Sequence, residues 1–176
     1  MLPALPAEAD LDIVGDPGAR IIVSCERAKE WLLAALAGDD IERISEIKSQ
    51  AEAMRVYTIQ RQLGKDAELS AAEIVRRAER CIGLAIRKGQ AEGRIASRPG
   101  SVPDGTISPR RFMKAGNETV DSYAMSNVPA EAFEAAIEEA KAEGNLSRAN
   151  VVRKEIYNRG KGGKKLPSWW KTEAAQ

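Results

Sequence analysis

The sequence predicts an all-α protein on the basis of three observations. Aromatic residues make up only 5% of the 176-residue chain, alanine is abundant, and runs of alternating β-branched residues are missing. Apolar residues recur instead at steps of three and four, the spacing of one face of an α-helix. Glycines and prolines interrupt these patterns where helices would end. We therefore expect helices arranged in one or two compact regions.

Residues 21–96 are predicted to form an N-terminal helical hairpin region that also contains a first helix. Ser24 would cap this first helix, and Gly38 would end it. Trp31 lies on its apolar face and is expected in the core. The preceding residues, 1–20, contain prolines and acidic residues without a helical pattern, so we expect a flexible arm.

The two arms of the hairpin follow from two further apolar patterns. One helix starts at Asp39 or Asp40 and ends near Leu63-Gly64, and the next starts with a capping box formed by Ser70 and Glu73. The second of these helices would place its charged residues on a solvent face: Arg76, Arg77, Glu79, Arg80, Arg87 and Lys88. Because the apolar stripes consist largely of small residues, the first helix or a second copy of the chain must cover them. A homodimer or higher homo-oligomer is the hypothesis that follows.

The rest of the chain is predicted to hold a linker, a smaller helical region and a tail. Residues 97–109 contain three prolines and two glycines, which indicates a linker. Residues 110–158 contain two helix-turn-helix-like units, one with its turn at Gly116-Asn117 and one with its turn at 144–146. An ordinary helical hairpin explains these units as well as a DNA reader does. Residues 159–176 are a basic tail that contains two tryptophans.

The second unit carries the side chains that suit DNA best. Arg and Asn pair with the edges of guanine and adenine in the major groove. Its helices would run over 130–143 and 147–157, with Ala140 packed against the partner helix, whereas the first unit would expose Asn117, Thr119, Asp121 and Ser122. The predicted DNA-binding residues are Arg110, Arg111, Arg148, Asn150, Arg153, Lys154, Lys161, Lys164 and Lys165.

The charge distribution supports an anionic partner. The whole chain has a formal charge of only +1, but from Ala149 onward seven basic residues stand against two acidic ones. A basic end on an acidic body is typical of contact with nucleic acid or another anionic surface, although a merely solvated tail is the alternative. Trp169 and Trp170 would stack on bases or, alternatively, fold back onto an apolar helix face.

Two segments resemble a known family. The stretch from Ser70 to Gly83 (SAAEIVRRAERCIG) resembles the "AAEI-x-x-RAER" helix of an actinobacterial and actinobacteriophage protein family. Residues 122–134 and 146–153 resemble its "VP-x-x-x-FE" and "LSRA-x-V-x-R" segments. The resemblance implies a phage or mobile-element protein with a DNA-binding helix-turn-helix. At residues 115–123 this chain has acidic residues where the family carries a "GISK-x-xSS-x-W" turn, and acidic side chains disfavour contact with DNA.

Composition argues against an enzyme. The chain has no histidine, which excludes Ser-His-Asp and Cys-His catalysis, and its two cysteines are too few for a four-cysteine zinc site. Cys25 and Cys81 are expected to be small buried apolar residues. We therefore predict no catalytic residues, no metal site and no cofactor. No segment has the apolar length of a membrane span or the pattern of a signal peptide, so we expect a cytoplasmic protein without membrane contact.

The function expected from the sequence is DNA binding by a phage or mobile-element protein with a regulatory, replication or partition role. Duplex DNA would bind the C-terminal helices and the tail. The alternative is a helical protein–protein interaction module, such as an adaptor or inhibitor that binds a host protein through its amphipathic helices.

Overall fold

The computed structural model describes residues 16–97, 104–113 and 116–161, and within these ranges the chain folds into six α-helices. Their bounds are α1 Pro17–Ala37, α2 Ile41–Arg61, α3 Lys65–Ala91, α4 Asn117–Ser126, α5 Ala130–Ala142 and α6 Arg148–Lys161. The other regular features of the described ranges are a 3₁₀ turn at Pro109–Arg111 and one isolated bridge. The all-α prediction is confirmed.

Helix α1 begins seven residues earlier than the predicted cap at Ser24. The Asp16 carboxylate accepts a hydrogen bond from the Gly18 amide at 3.1 Å, and Pro17 occupies the first helical position, where its missing N–H costs nothing. Ser24 donates its hydroxyl to the Arg20 carbonyl inside the helix. Residues 17–20 of the predicted arm are therefore helical, and residues 1–15 lie outside the described part.

Helices α2 and α3 form the expected antiparallel hairpin, with one boundary correct and one wrong. Asp40 caps α2 by accepting a hydrogen bond from the Arg43 amide at 2.9 Å, as predicted. Helix α3 begins at Lys65, so the capping box at Ser70 and Glu73 is wrong, because both residues lie inside the helix and are buried. The turn between the helices uses Gln62 and Gly64, both with positive φ.

Helix α3 lies at the centre of the molecule. It packs against α1 and α2 on one side and against α4 and α5 on the other. The first core contains apolar residues of α1, α2 and α3, and the second contains Leu69 and Ala72 of α3 with residues of α4, α5 and α6. The two predicted helical regions therefore pack together through α3. Trp31 is exposed on α1, so its predicted place in the core is wrong.

The residues on either side of the undescribed part of the predicted linker bond to each other and pack on the first core. The Ala96 amide donates to the Ile107 carbonyl at 2.9 Å, and the Ile107 amide donates to the Arg94 carbonyl at 3.0 Å. Ile95, Phe112 and Met113 pack in the core formed by α1, α2 and α3. Residues 98–103 of the linker lie outside the described ranges.

Candidate nucleic-acid interface

A tight turn joins helix α5 to helix α6. The turn is a Schellman motif: the Gly144 amide donates to the Lys141 carbonyl and the Asn145 amide to the Ala140 carbonyl, both at 2.9 Å. Gly144 has φ 70°, which favours glycine at this position. The Asn145 side chain then accepts a hydrogen bond from the Ser147 amide at 3.1 Å and leads the chain into α6.

The second core fixes α6 relative to α4 and α5. Phe133, Ile137 and Ala140 are buried on α5, as predicted, and meet Leu146 and Val151 at the start of α6. Met125 and Val128 extend the same core toward α4. The three helices therefore make a small trihelical unit, and the turn between α5 and α6 lies at the predicted residues 144–146.

Arg148, a predicted DNA contact, is directed toward the interior. Its Nε lies 3.2 and 3.3 Å from the two carboxylate oxygens of Glu79, and its Nη2 also bonds this carboxylate. Glu79 is 0% exposed and also lies 2.8 Å from Arg76 and 3.9 Å from Lys48. The carboxylate therefore holds α6 and α2 on α3.

A second buried carboxylate links two further helices, α1 and α5, to α3. Glu73 is 1% exposed, and its oxygens lie 2.9 Å from Lys29 of α1, 2.8 Å from Arg77 of α3 and 2.8 Å from Lys141 of α5. Burial raises the pKa of Glu73, but the hydrogen bonds from these cations outweigh it and lower the pKa to about 2. The Glu73 carboxylate therefore stays ionised at neutral pH.

The burial of both carboxylates differs from the prediction made from the sequence. That prediction placed Glu73 in a capping box and Glu79, with Arg76, on a solvent face, whereas all three are buried. A signal was present in the sequence: alanines flank these charges on several faces of α3. A helix with small or apolar residues all round is buried, and its charged groups then need partners.

Asn150 and Lys154 form intramolecular contacts on the outer side of α6. The Asn150 side chain donates to the Asn145 carbonyl at 2.8 Å and to Glu143 at 3.2 Å. Lys154 lies 2.5 Å from Glu143 and 3.8 Å from Glu139. The hydrogen bonds from Lys154 and Asn150 lower the pKa of Glu143. Glu139 of α5 and Glu143, which directly follows α5, thus neutralise part of the predicted DNA-binding face.

Arg153 remains exposed on α6 and has no ion pair among the side chains that the structure describes. Arg110 is exposed in the 3₁₀ turn, and exposed Arg111 lies 3.7 Å from Glu42. Lys161 ends α6, but its side chain lies outside the described part, as do Lys164 and Lys165. Trp169 and Trp170 also lie outside it.

The first predicted helix-turn-helix differs from the expectation. Up to Met113 its first helix is only the 3₁₀ turn at Pro109–Arg111. Ser122, expected to be exposed on the second helix, is completely buried. The reason is the close crossing of α4 over Gly83 of α3: a Cβ built on Gly83 would lie 2.5 Å from the Ser122 carbonyl oxygen.

The described residues offer no arrangement suited to metal binding: no group of three or more His, Cys, Asp or Glu side chains is placed to hold a metal ion there. Cys25 and Cys81 are both buried and unpaired with each other, as predicted. No helix in the described ranges combines the length and apolar character needed to cross a membrane.

Comparison of the chain with protein-family models, with curated proteins and with solved structures found no match. The resemblance to the actinobacterial and actinobacteriophage family therefore stays a prediction.

Proposed function

We propose that the protein binds duplex DNA through the trihelical unit of α4, α5 and α6 together with the basic segment that follows α6. The observation that carries the proposal is the α5–turn–α6 arrangement, with a Schellman turn, a buried Ala140 and an exposed arginine on the second helix. In such readers the second helix lies in the major groove. The proposal keeps the cytoplasmic location and the phage or mobile-element setting expected from the sequence.

The geometry divides the predicted contacts into two groups. Arg148 would act indirectly, by holding α6 on α3 through Glu79, and Asn150 and Lys154 would have to leave Glu143 before they contact a base. Arg153 and Arg110 are exposed and suited to direct contact. Lys161, Lys164 and Lys165 would neutralise phosphates, because lysines among glycines follow a backbone without reading its sequence.

Fluorescence anisotropy with a labelled duplex tests the proposal. The wild-type protein should bind at low salt and lose affinity steeply between about 50 and 200 mM salt, since neutralised phosphates release counterions. Arg153→Gln should weaken binding about tenfold, and Lys164→Gln with Lys165→Gln should reduce the salt dependence.

Arg43→Gln is the matched control, because Arg43 is an arginine on α2 that pairs with Glu46 at 2.6 Å. This variant should bind DNA as the wild type does. Absence of wild-type binding at low salt, or equal affinities of the Arg153 and Arg43 variants together with an unchanged salt slope for the lysine variant, would contradict the proposal.

Protein–protein interaction is the second candidate function, and the outer face of α2 favours it. Val56, Tyr57 and Ile59 are exposed there. Val56 and Tyr57 border a cavity of about 560 Å³ together with Lys48 of α2 and Glu118 of α4. Exposed apolar residues grouped on one helix are a common feature of interaction surfaces. A second copy of the chain or a host protein would bind here.

Sedimentation equilibrium separates these outcomes. If α2 mediates self-association, the wild type should sediment as a dimer or larger species at micromolar concentration, and Val56→Ser with Tyr57→Ser should be monomeric. Leu33→Ser, at an exposed apolar residue of α1, is the control. A wild type that is monomeric and captures no protein from a nuclease-treated lysate would remove this candidate.

A further inference from the structure

A polar cavity of about 430 Å³ lies between the body of the molecule and the α5–α6 turn. Helix α2, the first turns of α3 and residues 144–148 border it. Four of its lining side chains are cationic: Arg55, Lys65, Arg76 and Arg148. Cavities of this volume hold small molecules.

Arg76 lines this cavity and has two buried nitrogen atoms without a hydrogen-bond partner among the described residues. These atoms are Nε and Nη1, and the side chain is nine-tenths buried. Nη1 lies 2.8 Å from Glu79, but its N–H groups do not point at that carboxylate. An arginine stays charged in a protein, and a buried donor without a partner is costly. Because Arg76 also lines the cavity, an anion bound there would lie next to this buried positive charge.

The carboxylates around the cavity do not balance its cations. Glu52 is occupied by a two-point bond with Arg55, at 3.2 and 2.9 Å, and Glu68 by Lys65 at 3.1 Å. The remaining carboxylate, Glu79, is shared by Arg76, Arg148 and Lys48. Because Lys48 also pairs with Glu118, two carboxylates in this group face three cations.

The start of α6 adds further positive potential. Asn145, Leu146 and Ser147 line the cavity just before α6, whose fourteen residues begin at Arg148. The first N–H groups of a helix have no partner within it, and together with the helix dipole they attract anions. The Ser147 and Asn150 amides are already bonded by the Asn145 and Ser147 side chains, so α6 acts on this space chiefly through the positive end of its helix dipole.

We propose that this cavity binds the phosphate group of a small phosphorylated molecule. Arg76 and Arg148 supply guanidinium charge, the start of α6 supplies the positive end of its helix dipole, and Arg55 and Lys65 lie at the cavity as additional cations. Planar guanidinium groups and helix N-termini are both well suited to phosphate oxygens. The cavity exceeds the size of a phosphate ion, which leaves room for the organic part of an ester. This site does not depend on DNA binding.

Inorganic pyrophosphate and inorganic phosphate are the probes. Titration calorimetry and thermal unfolding with either anion, against chloride at equal ionic strength, should show binding and a rise in Tm of a few degrees at millimolar concentration. Arg76→Met should bind about tenfold more weakly or not at all, because it removes charged hydrogen bonds. Arg55→Gln, which leaves the Glu79 contacts intact, should also weaken binding if Arg76→Met does not fold.

Arg87→Met is the matched control. Arg87 is on the same helix and also has a buried Nε without a hydrogen-bond partner in the described part of the chain, but it does not line this cavity. The control should bind both anions as the wild type does. No binding by the wild type, or equal binding by the Arg76, Arg55 and Arg87 variants, would overturn the proposal.

Competition with duplex DNA identifies the source of the phosphate. If pyrophosphate binds and the duplex does not displace it, the ligand is a free phosphorylated molecule. If the duplex displaces pyrophosphate from the wild type, the cavity is still a phosphate site, and the phosphate comes from the nucleic-acid backbone.

Discussion

Glu79 is the residue with the largest expected effect on stability. It is completely buried and compensates Arg76, Arg148 and Lys48, so Glu79→Gln leaves buried guanidinium groups without a counter-charge. Breaking a buried pair in this way costs about 3 kcal/mol in the free energy of unfolding. Urea denaturation measures the loss. Glu46→Gln, which removes an exposed partner of Arg43, should cost less than about 1 kcal/mol. Equal losses for the two variants would show that burial of Glu79 is unimportant.

Because of Glu73, the free energy of unfolding should depend on pH in the acidic range. The pKa of Glu73 is about 2 in the folded protein and near 4.5 in the unfolded chain. The unfolded state therefore binds the proton first, so the contribution is complete above about pH 5 and is lost as the pH falls toward about 2. At about 1.4 kcal/mol per pKa unit, the ionised Glu73 carboxylate contributes roughly 3 kcal/mol to the free energy of unfolding at neutral pH.

Unfolding of wild type and Glu73→Gln by urea at several pH values tests this. The wild type should be more stable at neutral pH, and the difference should shrink below about pH 4.5. A difference that is constant with pH would show that Glu73 is not preferentially ionised in the folded protein.

The two thiols should be unreactive in the native protein. Burial is the main cause that raises the pKa of Cys25 and of Cys81 to about 11. Because the thiolate is the reactive form, a disulfide reagent at about pH 8 should modify both residues only after unfolding. Absorbance of the released thiolate with and without urea measures this, and rapid native modification would contradict the described burial.

At the scale of single residues, the sequence predicted apolar positions better than charged ones. Phe133, Ile137 and Ala140 follow a clear helical spacing and are buried as expected. The burial of Glu73 and Glu79 depends on cations from other helices, far away in the chain, and helical spacing contains no information about them. The prediction that Trp31 is buried was wrong because part of the apolar surface of α1 faces solvent.

At the scale of elements, Gly83 controls how closely α4 approaches α3. A Cβ at this position would lie 2.5 Å from the Ser122 carbonyl oxygen and 2.9 Å from the Ser126 Cβ. Gly83→Ala should therefore destabilise the protein by about 1–3 kcal/mol and reduce amide-exchange protection in α4 more than in α2. Gly38→Ala is the control, because its Cβ would meet no atom closer than 3.4 Å. Unchanged protection in α4 of the Gly83 variant would contradict this crossing.

The start of a helix was predictable where a capping side chain is followed directly by the helical pattern of apolar residues. Asp40 satisfies both conditions, and α2 begins as predicted. Helix α3 begins before its strongest local signal at Ser70, because packing around its first turns outweighs a capping preference worth about 1 kcal/mol. The sequence also predicted α5, the turn and α6, whereas the charge pairs that direct Arg148 inward required the tertiary structure.

At the scale of the whole molecule, α3 should make unfolding cooperative. It contributes residues to both cores, and Glu73 and Glu79 tie it to α1, α2, α5 and α6. We expect far-UV circular dichroism and Cys81 reactivity to report the same urea midpoint. Two separate transitions would instead indicate that the regions on either side of residues 97–109 fold independently.

The sharing of Glu79 also has an evolutionary consequence. Lys48, Arg76 and Arg148 lie on three helices and share the Glu79 carboxylate, with Lys48 also paired to Glu118. A lineage that loses the acid keeps a cluster of like charges until the cations change as well, and a lineage that loses one cation weakens the constraint on the others. Among descendants of this sequence, positions 48, 76, 79 and 148 should therefore co-vary as a group, with apolar residues replacing the entire set.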